Sequence, residues 1–116
     1  MRRSFVLEGD AVIADQAKVA RGLLERLVGL LAHETLGEGE ALILPRCNSI
    51  HTFGMRFAID AIFVDRAWRV VALRQHVPPG RIILPVWGAW GVIELAQGTL
   101  ARLGLQVGDP LRLREG

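Results

Sequence analysis

The sequence predicts a mainly β domain, a compact antiparallel sandwich or partly open barrel with one or two short helices. Three observations lead to this fold class. Short apolar runs of strand length recur along the chain, turn residues separate them at short intervals, and no long helices alternate with them. The 116 residues suit a single domain over 1–116 with a core of its own.

The N-terminal part is predicted to form a hairpin followed by the main helix. Ser4–Glu8 and Ala11–Ala14 are short apolar runs joined by a Gly-Asp turn pair. Asp15–Ala20 has a mixed pattern and is expected to be extended or irregular. Four leucines then recur at helical spacing within Gly22–Leu31, which predicts an amphipathic helix.

The middle of the chain predicts the centre of the sheet. Ala41–Leu44 is a short apolar strand that Pro45 stops. Phe57–Val64 is apolar on both faces except at Asp60, which is typical of a central strand. A turn then leads into a second strand, Arg69–Leu73, and the two strands should pair.

The C-terminal part begins with an irregular segment. Gln75–Gly91 is rich in proline and glycine, so no long regular element is expected there. Gly91–Ala96 has strand character with Glu94 as its one charge. Thr99–Leu103 is predicted as a helical turn closed by a glycine, and Asp109–Arg114 as a final alternating strand.

The composition argues against some classes of binding partner and indicates the compartment. The net charge is only +2 and no block of like charge occurs, so neither nucleic acid nor a membrane surface is an expected partner. The single cysteine excludes an internal disulfide and favours a reducing, cytoplasmic setting. No apolar leader develops after the first residues, and no stretch approaches the roughly 20 apolar residues that cross a bilayer.

The segment from Cys47 to Asp60 combines cysteine, histidine, methionine, arginine and aspartate, which indicates a site. Cys47 and His51 would be about 13 Å apart on an extended strand, so they meet only if a turn intervenes. A structural zinc site needs more ligands than this pair, so no metal or cofactor is predicted. Cys47 is interpreted as a small packing residue and Met55 as core volume.

Two carboxylates lie in apolar strands, and such groups must be hydrogen-bonded, paired or protonated. Asp60 belongs either to a polar cluster in a cavity or to a structural contact, which is an ion pair or a cap on neighbouring amides. If Asp60 and Glu94 faced one cavity, they could act as an acid and base or bind a polar ligand. Trp87 and Trp90 lie in the irregular segment, where they form a stacking platform or, as we favour, a lid over the core.

Three motifs then occur in order: Arg26–Leu31, Ile50–Val64, and Val92–Gly98 followed by Gly108-Asp109. Together they resemble the DUF192 family, also called UPF0127, of uncharacterised bacterial and archaeal proteins. The resemblance implies a sandwich or jelly-roll-like fold and no established activity. It carries the family's shared polar positions onto Thr52, Met55, Asp60 and Glu94. The glycine that is usual in the hairpin after the core strand is absent here, and Trp68 lies near that place.

These observations lead to a main hypothesis, a domain that binds a small polar ligand. Its predicted pocket comprises His51, Thr52, Met55, Asp60, Glu94 and Trp90. One alternative is a hydrolase in which Asp60 or Glu94 works with His51 as acid and base. The other is a structural or interaction module whose exposed tryptophans mark a partner surface. The oligomeric state stays open.

Overall fold

The computed structural model of the chain describes residues 4–20, 36–53 and 55–115. Within these ranges the chain forms ten strands and one short helix. In order they are β1 (Ser4–Glu8), β2 (Ala11–Ala14), β3 (Gln16–Val19), β4 (Glu40–Pro45), β5 (Ile50–His51), β6 (Ile59–Val64), β7 (Val70–Val77), β8 (Ile82–Ile83), β9 (Gly91–Ala96), α1 (Thr99–Leu103) and β10 (Arg112–Glu115). The helix predicted over Gly22–Leu31 lies outside the described residues.

The strands form three sheets. A five-stranded sheet has the order β3-β4-β9-β6-β7, a three-stranded sheet the order β10-β1-β2, and a two-stranded sheet contains β5 and β8. Pairing is antiparallel throughout these sheets except between β3 and β4, which are parallel. The mainly β, mainly antiparallel fold class predicted from the sequence is confirmed, and the sheets do not close into a barrel.

Each face of the five-stranded sheet is covered by its own apolar cluster. The first cluster includes Val6 and Ile13 of the three-stranded sheet, together with Ile62 and Ile93. The second cluster includes Leu42, Phe63 and Val92, and the side chains of Ile50 and Met55 pack into it. The interior strand β6, which lies between β9 and β7, is buried along its whole length because both of its faces are covered.

Several local predictions are confirmed. The first hairpin forms with Gly9 at φ 58°, β6 pairs with β7, and β9 has the predicted bounds. The helix α1 also has its predicted bounds and ends at Gly104, whose φ is 67°. Leu111 and Leu113 both pack on the first cluster, as the alternation of the last strand predicts.

The segment after the hairpin, expected to be extended or irregular, is extended, because the backbone of β3 pairs in parallel with β4. Other expectations need correction. The strand predicted to end at Leu73 continues to Val77, since polar side chains are tolerated at the exposed edge of the sheet. The segment Gln75–Gly91 therefore contains the end of β7 and also the short strand β8.

The hairpin between β6 and β7 shows how the chain turns without a glycine. Asp65 Oδ1 accepts hydrogen bonds from the amides of Ala67 and Arg69, both at 2.9 Å. Trp68 takes the left-handed conformation at φ 63°, which glycine adopts more easily. The half-buried Trp68 side chain packs against the first cluster. Asp65 and this packing together hold a turn that the sequence alone leaves undetermined.

Candidate functional site

Asp60 is fully buried in β6, and both of its carboxylate oxygens are used by the backbone. Oδ1 accepts a hydrogen bond from the amide of His76 at 3.1 Å, and Oδ2 accepts one from the amide of Leu100 at 2.9 Å. Leu100 lies in the first turn of α1, where the N-cap residue Gly98 has no side chain to accept an amide. Of the two roles left open by the sequence, the structure shows Asp60 as a cap on neighbouring amides.

Thr52 is also fully buried and binds the Pro78–Arg81 loop. Its hydroxyl donates to the carbonyl of Pro78 at 2.6 Å and accepts from the amide of Arg81 at 2.9 Å. Its backbone amide donates to the Arg81 carbonyl at 2.8 Å, and its carbonyl accepts from the amide of Gly80 at 3.0 Å. The contacts of Thr52 are therefore internal ones that fix the shape of this loop.

Asp60 and Glu94 lie on opposite faces of the five-stranded sheet. In the pairing of β6 with β9, Asp60 is opposite Leu95, whereas Glu94 is opposite Ala61. Directly paired residues share a face and neighbours along a strand alternate. Asp60 thus lies on the side of the first cluster, with Leu95, and Glu94 on the side of the second, with Ala61. The two acids do not share a cavity, so they cannot work as an acid and base on one substrate.

The neighbouring residues of the motif have separate environments. Met55 is buried in the second cluster, as the prediction of a packing role requires. His51 is half-buried and its ring stacks on Phe53, with ring centroids 5.6 Å apart and an interplanar angle of 28°. Within the described part of the chain, His51 Nδ1 is buried without a hydrogen-bond partner. Cys47 is half-buried beside the second cluster, and its thiol donates to the carbonyl of Ser49 at 2.8 Å.

The two tryptophans of the loop before β9 differ from each other. Trp87 is 96% exposed, so the prediction that it folds back as a lid is wrong. The backbone just before Trp87 is held by a hydrogen bond from the Val86 amide to the Asn48 carbonyl, and the Trp87 indole lies in solvent. Trp90 is half-buried, and its backbone is held on both sides. Its amide donates to the Val64 carbonyl at 2.7 Å, and its carbonyl accepts from the Cys47 amide at 2.8 Å.

The register of the central strands explains what surrounds Trp90. Pro45 at the end of β4 and Val64 at the end of β6 both pair with Gly91 at the start of β9. The residues that follow these two strands and those that precede β9 must therefore meet at one end of the sheet, where these strands begin or end. A surface at this end, which we name the Trp90 groove, is lined by Arg46, Cys47, Asn48, Asp65, Arg66, Ala67, Gly88, Ala89 and Trp90.

The Trp90 groove consists of two adjoining cavities of about 380 and 460 Å³ that share Arg66, Ala89 and Trp90. The smaller cavity also has Arg46 and Asn48 in its wall and contains no carboxylate. The larger one includes Asp65, whose Oδ1 is used by two amides of the turn. The groove thus offers two guanidinium groups, an amide side chain and an indole.

Sequence reasoning identified Trp90 and weighed Arg46, among several arginines, as an anion site, but it expected most of those side chains to be solvated or paired with acids and did not single out Arg66. Arg46 and Arg66 are 20 positions apart in the sequence and neither belongs to a recognisable motif. Arg46 directly follows β4 and Arg66 comes two positions after the end of β6, and this position just past a buried strand is the signal that could have found them. Arg46 also has φ 56°, a left-handed conformation uncommon for a residue with a side chain.

The described residues contain no group of three or more histidine, cysteine, aspartate or glutamate side chains arranged to hold a metal ion. They also contain no helix of the length and apolarity that crossing a bilayer requires.

One known protein has a similar sequence over most of this chain. A curated UPF0127 protein of Thermococcus sibiricus is 34% identical over 100 residues, which are 83% of this chain and 64% of the relative's length. The chain thus spans less than two thirds of that relative.

Two crystal structures share the fold. A protein of unknown function from Novosphingobium aromaticivorans superimposes with a TM-score of 0.78 at 25% identity, over 95% of this chain and 83% of that one. A protein described as a putative transcription regulator, from Sinorhizobium meliloti, has a TM-score of 0.78 at 19% identity, over 96% and 92% of the two chains. The second likeness supports the fold alone.

The model of the family DUF192, described as an uncharacterized group, matches residues 5–113. The match includes all three motifs on which the sequence-based resemblance rests and both strand ends of the Trp90 groove. The resemblance is therefore confirmed, and the chain belongs to the DUF192 family, whose function is unknown.

Proposed function

We propose that this domain binds a small anionic molecule with a planar ring in the Trp90 groove. The observation that carries the proposal is the convergence of Arg46, Arg66 and Trp90 on one surface at the edge of a buried sheet. Guanidinium groups bind carboxylates and phosphates through paired hydrogen bonds, and an indole presents an apolar face to a ring. The combination fits a ligand that carries both groups.

The charge of the groove favours an anion. Arg46 and Arg66 are exposed, and no hydrogen bond or ion pair joins either side chain to a described residue. Asp65 is the one carboxylate in the lining, and its Oδ1 is directed to the amides of its own turn. Two cationic side chains without a local carboxylate partner are therefore available to a ligand.

The backbone at Arg46 gives independent support. A left-handed residue with a side chain costs of order 1 kcal/mol or more relative to glycine, and such residues cluster at functional sites. Arg46 keeps this conformation at φ 56° immediately after β4. Glycine would adopt this left-handed conformation at a lower energetic cost, so the presence of an arginine supports a role for its positive charge.

Size and rigidity also fit. Cavities that hold small molecules measure roughly 300–1,000 Å³, and each part of the groove falls in this range. The lining residues directly follow or precede three paired strands of a buried sheet, so the groove starts from a rigid edge. In this proposal the buried Thr52, Met55, Asp60 and Glu94 hold the surrounding fold, and the role of His51 stays a prediction.

The test is a thermal-shift screen with small carboxylates and phosphates that carry aromatic, heterocyclic or sugar rings, followed by calorimetry on the compounds that raise the midpoint. A ligand that binds only the native state must stabilise it. Arg66→Gln is expected to weaken binding by about tenfold or more, since hydrogen bonds to charged groups are worth roughly 1.5–3 kcal/mol. Trp90→Leu should weaken binding of ring compounds more than that of ringless anions.

The matched control is Arg74→Gln, which removes the same charge from an exposed arginine of β7. Equal losses in Arg66→Gln and Arg74→Gln would show general charge attraction and contradict a site at the groove. A screen in which ring-bearing neutral or cationic compounds bind and anions do not would contradict the anionic class.

The remaining predictions about setting rest on the sequence. A free cysteine supports a reducing, cytoplasmic compartment, and the low net charge speaks against nucleic acid as the partner. The hydrolase alternative pairs Asp60 or Glu94 with His51, and of these two acids Asp60 is the weaker candidate, because both of its oxygens accept hydrogen bonds from backbone amides.

A further inference from the structure

A second surface exposes apolar side chains that the groove does not use. Phe53 is 52% exposed, Ile82 62%, Leu84 76% and Trp87 96%. We name these four residues the apolar strip. Contiguous exposed apolar side chains mark interaction surfaces more often than isolated ones do.

The strip follows the two-stranded sheet. His51 pairs with Ile82, and the His51 ring stacks on Phe53, so these side chains share the outer face of the sheet. Ile50 and Ile83 form the next pair and pack toward the second cluster instead. Leu84 is two positions after Ile82 and is exposed as well, as the alternation of an extended chain requires.

The strand β8 also has a free edge. Within the part of the chain that the structure describes, its only strand neighbour is β5. Arg81 directs its amide and carbonyl to Thr52, and successive residues of a strand direct these groups to opposite edges. The amide and carbonyl of Ile82 therefore point away from β5, where an added strand can bind them.

The chain segments that carry the strip contain cations and no carboxylate. The segments 41–59 and 66–93, which contain the whole strip, have no aspartate or glutamate. Their described cations beside the strip include the exposed residues Arg56 and Arg81. An apolar edge whose own segments carry cations and no acids is complementary to a partner that carries both apolar and acidic side chains.

We propose that the apolar strip is a docking surface for an extended acidic segment of a partner protein, which pairs with the free edge of β8. The main-chain hydrogen bonds supply a register, Ile82 and Leu84 contact apolar side chains, and the arginines attract the acids. The proposal concerns a different surface from the Trp90 groove and does not depend on the proposed ligand.

Two other occupants fit less well. A second copy of this chain docked through the same strip would bring Arg56 and Arg81 against their own equivalents, which is unfavourable. Single-stranded nucleic acid is bound by stacking on aromatic side chains, whereas half of the strip is aliphatic. An acidic, apolar polypeptide uses all four residues and both arginines.

The test measures fluorescence anisotropy of a labelled synthetic peptide of alternating glutamate and valine, with the full chain as receptor. A peptide of alternating lysine and valine is the charge control, and a version with alternate N-methyl groups removes the strand pairing. We expect the glutamate peptide to bind at least about tenfold more tightly than both controls, and more weakly as salt is added.

Variants locate the binding. Leu84→Ser and Trp87→Ala should each weaken it by about fivefold or more, because exposed apolar anchors are lost while the core is untouched. Val107→Ser is the matched control, since Val107 is 66% exposed and lies in the turn before β10. Unchanged melting midpoints in all three variants will show that the fold is intact.

Several outcomes would overturn the proposal. These are equal binding of the glutamate and lysine peptides, equal losses in Val107→Ser and Leu84→Ser, or tight binding by the N-methylated peptide. Binding of an oligothymidine that is lost in Trp87→Ala, without peptide binding, would assign the strip to nucleic acid. A dimer in sedimentation experiments that disappears in Leu84→Ser would assign it to a second copy.

Discussion

Asp60 and Asp65 make the same kind of contact in two different surroundings. Each carboxylate accepts hydrogen bonds from two backbone amides, but Asp60 is fully buried, whereas Asp65 lies at the turn beside the Trp90 groove. The buried carboxylate belongs to the family pattern and yet has no access to a ligand. The difference teaches that the same contact fixes the interior of the fold at Asp60 and the shape of a surface turn at Asp65, and that a carboxylate of the family pattern can be fully buried.

The largest expected change in stability comes from neutralising Asp60, and the same substitution at Asp65 is the comparison. Asp60→Asn should lower the free energy of unfolding by about 3 kcal/mol, because the new amide nitrogen faces a buried N–H donor and leaves it unsatisfied. Asp65→Asn should cost about 1 kcal/mol or less, since water can replace the lost acceptor. Urea denaturation of both variants measures the difference, and equal losses would contradict the assigned contrast.

At Arg46 the contribution of the side chain to the groove can be separated from the contribution of the residue to the stability of the fold. Arg46→Gly should raise the free energy of unfolding by about 0.5–1 kcal/mol, because glycine adopts the left-handed conformation at φ 56° without a steric penalty. Arg46→Gln keeps that conformation and should leave stability within about 0.5 kcal/mol of the wild type. Chemical denaturation checks both values. A loss of stability in Arg46→Gly would show that the side chain supports the fold.

The smallest effect concerns two acids that face each other at the surface. A side-chain hydrogen bond with Asp109, and to a lesser extent desolvation and repulsion by that carboxylate, raise the pKa of Glu8 above its ordinary value of 4.5. Because protonation of Glu8 favours the folded state, this contribution to stability is full below pH 4.5 and is lost as the pH rises through the raised pKa.

Glu8→Gln should remove this pH dependence. The neutral amide donates a hydrogen bond to Asp109 at every pH, so the variant's melting midpoint should exceed that of the wild type at neutral pH and approach it in acid. Thermal unfolding of both proteins across this range measures the difference. A gap that widens toward acid pH would have the wrong sign and refute the interaction with Asp109.

Local patterns predicted most of the fold. The bounds of β9 and α1, the first hairpin and the pairing of β6 with β7 all follow from apolar runs and turn residues close in sequence. For β3 the sequence left extended and irregular backbone both open, because four alternating residues are a short signal, and the strand forms by parallel pairing with a segment more than 20 residues away. Pairing of that kind leaves no trace in either segment alone.

The site was harder to predict for the same reason. The burial of Asp60 indicated that it needs a partner, but its partners are the amides of His76 and Leu100, and any residue except proline supplies an amide. The faces of Asp60 and Glu94 depend on strand register, which a shift of one residue would reverse. The exposure of Trp87 depends on the path of a loop rich in proline and glycine, and composition does not determine such a path.

The contacts of Thr52 have a consequence for protein engineering. Pro78-Pro79-Gly80 is an exposed turn of the kind usually chosen for an inserted tag or a new chain terminus. Thr52 binds both sides of this turn with four hydrogen bonds, so an insertion would have to break a fully buried attachment. The exposed Gly9-Asp10 turn is the better place to open or extend the chain, because its side-chain contacts come from the exposed Arg112 at the surface.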